Sequence, residues 1–220
     1  MVKNLVVLIS GQGRNLQALI ACCAAGHIPA RIAAVISNRP DAPGLQRAMA
    51  AGIATQVVDH KAYGSREAFD DALRQAIDAH APDALVLAGF MRILTPGFTR
   101  HYEGRALNIH PSLLPRHPGL KTHEAVLAAG DVEHGATVHF VTAALDGGPA
   151  VLQGAFTVPP QASPTALAEQ VMQQIELKIY PQAVAWLVRG DLVLRGDVAV
   201  FKGKTLLAPL TLDDLERVFI

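Results

Sequence analysis

Over its first half, this chain regularly alternates short β-branched apolar runs with stretches of helical periodicity. Leu5–Ser10, Ile32–Ser37, Thr55–Val58, Ala84–Ala88 and Ala106–His110 have the length and composition of strands. Between them, helices are predicted near Asn15–Ala25, Gly44–Ala51, Ser65–His80 and, shorter, Thr95–His101. A helix between successive strands makes the strands parallel, and the near-continuous apolar character of Ala84–Ala88 and Ala106–His110 suits a sheet covered on both faces. The expected fold class is therefore α/β, a doubly wound, mostly parallel sheet with helices on both faces. Gly135–Val141 and Ala150–Val158 are two further expected strands. Ser163-Pro164 has the form of an N-cap and first helical position for a long helix towards Leu187, with Pro181 expected to kink or end its straight part. A short C-terminal β extension is expected from Leu192–Val200 and Lys204–Leu207 around the turn Lys202-Gly203.

With 220 residues, half of them hydrophobic, the chain is long enough for one domain with a full core. Lys+Arg and Asp+Glu number 19 each, so no bulk field draws it to nucleic acid or to an anionic membrane. The longest apolar runs fall far short of the roughly 20 residues a bilayer span needs. The start lacks a basic, apolar and small-residue leader pattern, so the expectation is a cytoplasmic protein. Cys22 and Cys23 are adjacent in a predicted helix and are read as inert packing thiols. His27, His60, His80, His101, His117, His134 and His139 show no metal-ligand spacing and two cysteines cannot build a zinc knuckle, so no metal is expected.

Three constellations could carry chemistry. Ser10-Gly11-Gln12-Gly13-Arg14-Asn15-Leu16 lies between the first strand and first helix, where free N–H groups and the helix dipole can hold an anion. The third glycine of the dinucleotide fingerprint is absent and Asp59 lies too far along to serve as its ribose acid, which argues against a nicotinamide cofactor. A plain tight turn is the alternative reading of the two glycines. Asn108-Ile109-His110-Pro111-Ser112 ends a central strand, and its amide and imidazole, two residues apart, share a face. Both can donate to one oxygen, as acyl transfer requires when a trigonal carbonyl becomes tetrahedral. A histidine that satisfies a loop carbonyl is the alternative. Leu145-Asp146-Gly147-Gly148-Pro149 dictates a tight turn; Asp146 either caps that turn or, if it approaches His110, favours the imidazolium.

Taken in order, Gly-x-Gly-x-Asn-Leu-Gln at 11–17, Ala88-Gly-Phe-Met-Arg-Ile-Leu94, Asn108-Ile-His-Pro-Ser-Leu-Leu-Pro115 and Leu145-Asp-Gly-Gly-Pro149 resemble the phosphoribosylglycinamide formyltransferase family. The resemblance runs from the first strand to at least Pro181. It implies a formyltransferase-type Rossmann-like fold across residues 1–220, with a nucleotide- and phosphate-binding half (1–105), a catalytic and folate-binding half (106–190) and the extension (191–220). It implies transfer of a formyl group from 10-formyltetrahydrofolate, as co-substrate, to the amine of glycinamide ribonucleotide, in purine biosynthesis. By motif position the catalytic residues are Asn108, His110 and Asp146. The substrate phosphate falls to Gly13, Arg14 and Asn15, and its ribose to Gln173 and Glu176 on one helical face. The folate falls to Arg66, Met91, Arg92, Ile93 and Leu94, and to Thr142, Ala143, Ala144 and Leu145. The family usually has Ser or Thr where this chain has Arg14, which is either an extra phosphate clamp or a solvent-directed side chain. His123 matches a family histidine near the site, in support or in catalysis.

The implied partners are these two small molecules, with no nucleic acid or membrane, for a monomer or homodimer. Formyltetrahydrofolate hydrolases share the catalytic trio but carry a regulatory domain before the first strand, and methionyl-tRNA formyltransferase adds a basic C-terminal domain. Sugar-amine formyltransferases share the chemistry and differ in the acceptor. A non-catalytic nucleotide- or folate-binding domain would not need the intact trio.

Overall fold

A computed structural model describes residues 2–220. Strands β1 (Lys3–Ile9), β2 (Ala30–Ser37), β3 (Ala54–Val57), β4 (Ala84–Leu87), β5 (Ala106–His110), β6 (Glu133–Phe140) and β7 (Ala150–Thr157) form one seven-stranded sheet in the order β3-β2-β1-β4-β5-β6-β7. The first five pair in parallel, while β6 runs antiparallel to β5 and β7 antiparallel to β6. From β1 the chain builds outward to β3, then returns to start again at β4 on the other side of β1. The resulting crevice at the carboxyl ends of β1 and β4 is where a doubly wound sheet takes its ligands.

Alternation along β1 accounts for the two covered faces. Leu5, Val7 and Ile9 join one buried cluster, with Leu16 and Leu19 of α1 (Arg14–Ala24) and Ile179, Val184 and Trp186 of α7 (Leu177–Arg189). Val6 and Leu8 join the other, with Phe69, Leu73 and Ile77 of α3 (Arg66–Asp78) and Phe98 and Tyr102 at α4 (Pro96–His101). The short helices α2 (Gly44–Ala50), α5 (Thr122–Ala129) and α6 (Pro164–Val171) complete the layers. Cys22 and Cys23 are free thiols, and burial pushes Cys23 up to about 12.

Most expected elements agree with the structure to within two residues, as helix and strand ends commonly do. Four features differ. Helix α5 was not expected, and nothing in its side chains announces it: Lys121 precedes it in the left-handed region at φ 56° and no side chain caps its start. Ser163 does cap α6, accepting from Ala166 N at 3.1 Å, but the long helix changes geometry to a π turn at Met172–Glu176. That departure falls before Pro181, through which α7 continues to Arg189. Finally, the expected strand Leu192–Val200 is two strands, β8 (Leu192–Arg195) and β9 (Val198–Phe201), divided by a turn at Gly196-Asp197 and followed by β10 (Lys204–Thr205).

The tail after this small sheet returns to the main one. Leu210 donates to Val151 O at 2.9 Å and accepts from Gln153 N at 2.8 Å, so it covers part of the β7 edge. Glu216 then pins the tail to α7, accepting from Trp186 Nε1 at 3.0 Å and donating its backbone N–H to Gln182 Oε1 at 2.7 Å.

Tyr180 couples α7 to the functional end of the sheet. Fully buried, its hydroxyl is shared between Leu87 O at 2.7 Å and Leu107 O at 3.0 Å, on β4 and β5. Tyr180→Phe removes the donor and leaves those carbonyls facing a hydrocarbon ring. The variant should unfold at lower urea concentration with an unchanged m-value, a loss of about 1–3 kcal/mol.

Candidate active site

Asn108 and His110 project from the same face of β5, and the strand paired beside them decides how each is held. Asn108 lies opposite His139 of β6, and its Nδ2 is 3.1 Å from His139 Nε2. His139 Nδ1 donates to Phe140 O at 2.9 Å, so Nε2 carries the lone pair and accepts from the amide. Burial lowers the His139 pKa and keeps this ring neutral, against smaller raising effects of that hydrogen bond and of Asp146. One amide hydrogen of Asn108 is thereby used for orientation, and the other remains for a ligand.

His110 lies opposite Thr137. Its Nε2 donates to His117 O at 2.9 Å, while Nδ1 stands 3.4 Å from Asp146 Oδ2. The loop-carbonyl contact of this histidine is present, through one nitrogen, and only the Nδ1 side faces the acid. Asp146 does not cap its own turn. Its Oδ2 instead accepts from Gly119 N at 2.8 Å, and its Oδ1 is 3.7 Å from His139 Nε2. The turn delivers this carboxylate by close backbone approach. A Cβ on Gly148 would sit 1.9 Å from Phe140 O, so only glycine lets the chain fold back there.

The proline-rich loop after β5 is pinned from below. Thr137 Oγ1 donates to Ser112 O at 2.7 Å and accepts from Leu114 N at 3.0 Å, and Gln153 Nε2 donates to Leu114 O at 2.7 Å. Ser112 Oγ shares its hydrogen between the Arg116 and His117 carbonyls at 2.7 and 3.1 Å. These contacts place the His117 carbonyl that orients His110.

At the glycine-rich turn, Gly13 is the N-cap of α1 at φ 70°, with no side chain capping the helix. A Cβ there would stand 2.7 Å from Gly44 Cα, so Gly13 serves both the turn and the packing of α1 against α2. Asn15 is buried and donates from Nδ2 to Glu176 Oε2 at 2.6 Å. Burial raises the Glu176 pKa, with the Asn15 hydrogen bond opposing.

The Arg14 guanidinium is engaged at the surface. It forms a two-pronged pair with Glu169, Nη1 to Oε2 at 2.6 Å and Nη2 to Oε1 at 2.8 Å. Gln173 donates to the same Glu169 Oε1 at 3.0 Å and is exposed. The expected shared face of Gln173 and Glu176 is therefore not found. The intervening π turn closes i to i+5, so residues three apart no longer stack, and only Glu176 turns inward.

Two adjoining cavities meet at the end of β5, where Ile109 and Pro111 border both. One, of about 630 Å³, is lined by the turn from Ser10 to Asn15 together with Met172 and Glu176. The other, of about 470 Å³, is lined by Arg66, Asn108, His110 and Asp146, and Gly89, Met91, Arg92, Ile109, Pro111 and His123 border both. A narrower slot opens from the second between Arg92–Leu94 and Thr142–Leu145, with Asn108, His139 and Asp146 at its inner end. The expected folate residues are thus together, and Arg92 lies over the Phe69 ring at 5.7 Å. Among the described residues, no group of three His, Cys, Asp or Glu side chains is placed to hold a metal ion. No described helix is long and apolar enough to cross a membrane.

An amide, an imidazole and a carboxylate stand at a strand end between an uncapped helix N-terminus and a narrow slot of mixed polarity, an arrangement suited to a transferase acting between two small molecules. The chain belongs to the formyl transferase family, whose profile matches residues 3–184. Within that family it is similar to the phosphoribosylglycinamide formyltransferase of Escherichia coli (strain K12), 51% identical over 203 residues, 92% of this chain and 95% of that protein. The Haemophilus influenzae enzyme of the same name is 46% identical over 204 residues, 93% of this chain and 96% of its own. The solved structure of the Coxiella burnetii phosphoribosylglycinamide formyltransferase superposes with a TM-score of 0.91 at 44% identity, covering 96% of this chain and 99% of that one.

Three residues that matter here were not singled out from sequence: His139, Thr137 and Ser10. The first two are alternate polar positions within the otherwise apolar run Gly135–Val141, which was the available signal. His123 borders both cavities and pairs through Nδ1 with His134 Nε2 at 2.8 Å. One ring must donate and the other accept, and burial pushes His134 down to about 4.

An unfolded histidine titrates near 6.5, so the unfolded chain takes up this proton first as pH falls. The contribution of neutral His134 is complete above about pH 6.5 and is lost as pH falls towards about 4, with a slope of at most about 1.4 kcal/mol per pH unit. His123 and His139, both also lowered by burial, act with the same sign. Urea unfolding at pH 7.5 and 5 should show the native chain losing stability. His134→Gln should lose less between the same two points.

Proposed function

We propose that Asn108, His110 and Asp146 carry the chemistry by which this chain transfers the formyl group of 10-formyltetrahydrofolate to the amine of glycinamide ribonucleotide. The products are formylglycinamide ribonucleotide and tetrahydrofolate, in purine biosynthesis. The observation that supports these roles is the meeting of the two cavities at the end of β5, where Asn108 has a spare amide hydrogen and His110 Nδ1 faces Asp146 at 3.4 Å.

The ribonucleotide amine attacks the formyl carbon, and the formyl oxygen takes up the negative charge of the tetrahedral intermediate. Asn108 Nδ2–H and His110 Nδ1–H donate to that oxygen. The His117 carbonyl takes the hydrogen of Nε2, and the Nδ1 hydrogen, beside the Asp146 carboxylate at 3.4 Å, is the one offered to that oxygen. Asp146 takes the proton released by the attacking amine through water. A proton returned to the folate nitrogen lets the carbon–nitrogen bond break.

The phosphate is received by the backbone N–H groups of Gly13, Arg14 and Asn15 at the start of α1, and Glu176 faces the ribose. Because Glu169 already engages the Arg14 guanidinium, Arg14 contributes chiefly its main chain. The pterin enters the slot between Arg92–Leu94 and Thr142–Leu145, with Arg66 and Met91 along the outer cavity.

Release of deformylated folate, followed by absorbance, should require the ribonucleotide; release of formate without it would identify a hydrolase. Asn108→Ala should lower kcat about 10²–10³-fold. Arg14→Ser should change KM for the ribonucleotide less than about threefold, since the removed group is held by Glu169 rather than by the substrate.

A further inference from the structure

We propose that Ser10 is a positioning residue for the folate wall, setting the path of the Gly89–Leu94 segment through its hydroxyl. The inference rests on the reading that Met91–Leu94 contacts the folate. That segment contains neither helix nor strand, so no regular hydrogen-bond ladder holds it. Phe90 and Leu94 are anchored in the core, whereas Met91 is 64% exposed and Ile93 53% exposed on the cavity side.

Ser10 grips this segment twice. Its backbone N–H donates to Gly89 O at 3.1 Å, and its Oγ accepts from Met91 N at 2.7 Å. Among the described contacts the Met91 N–H has no other acceptor. The hydroxyl then donates to Asn38 Oδ1 at 2.5 Å, and the main-chain carbonyl of Asn38 accepts from His60 Nδ1 at 2.9 Å. Ser10 and Asn38 are 3% and 2% exposed, so water does not readily replace either contact.

The three loops joined in this way leave the carboxyl ends of β1, β2 and β4, on the two sides of the strand-order reversal. A hydroxyl suits the position because it accepts from one loop and donates to the next with one atom. Ser10 touches neither reacting group; it works by fixing Met91, which borders both cavities.

The test combines steady-state kinetics with amide hydrogen exchange of the full chain. Ser10→Ala should raise KM for 10-formyltetrahydrofolate about tenfold and KM for the ribonucleotide, whose cavity Ser10 also lines, by a clearly smaller factor. In the absence of substrates, exchange in a peptide spanning 89–94 should accelerate in the same variant while β5 stays protected. Ser10→Cys keeps a side chain in place but offers only a weak acceptor, and should shift both readouts the same way if the alanine variant fails to fold. Unchanged exchange across 89–94, or equal rises in both KM values, would overturn the proposal. Faster exchange with an unchanged folate KM would instead overturn the assignment of Met91–Leu94 to the folate.

Discussion

The antiparallel register of β5 against β6 is the constraint on which the site depends. Asn108 meets His139 and His110 meets Thr137 because these are the pairs that register selects. His139 then turns the Asn108 amide so that nitrogen faces nitrogen, and Thr137 holds the proline loop whose carbonyl fixes His110. A one-residue slip would carry Thr137 and His139 to the opposite face of the sheet and leave apolar neighbours in their place. The change from parallel to antiparallel pairing at this strand is thus part of the chemistry as well as of the topology.

Burial and charge are arranged around that register with different signs. His139 and His134 are kept neutral by desolvation, the first as an acceptor for Asn108 and the second as a partner for His123. Asp146, by contrast, is brought in on a tight turn, where it accepts from the Gly119 backbone N–H and faces the His110 imidazole. The cost of burying it is offset by that hydrogen bond and by the ring 3.4 Å away, the usual condition for a buried charge. At the other end of the crevice, burial raises the Glu176 pKa, against the hydrogen bond it accepts from Asn15.

Much of the fold could be read directly. β5 has the bounds expected from its apolar run, and both polar positions on its shared face follow from the period of two. Ser163 and Pro164 start a helix as their chemistry requires. What could not be read depends on partners distant in sequence. Arg14 is held by Glu169, 155 positions away, and nothing at either position signals the other. The π turn rotates Gln173 away from Glu176 without any sequence marker of its own. Helix α5 lacks a capping side chain, and its start is imposed by the loop that precedes it.

By itself, then, the sequence determined the α/β class, the succession of strands and helices, the turn residues and the face that carries Asn108 and His110. These follow from local rules of periodicity, backbone sterics and capping, each acting within a few residues. Only the tertiary structure decided the approach of Asp146 to His110, the use of His139 to orient Asn108, the capture of Arg14 by Glu169 and the two-way contact of Ser10. Each of these depends on strand order, register and the packing of helices over the sheet, so it exists only once distant segments have been brought within hydrogen-bonding distance.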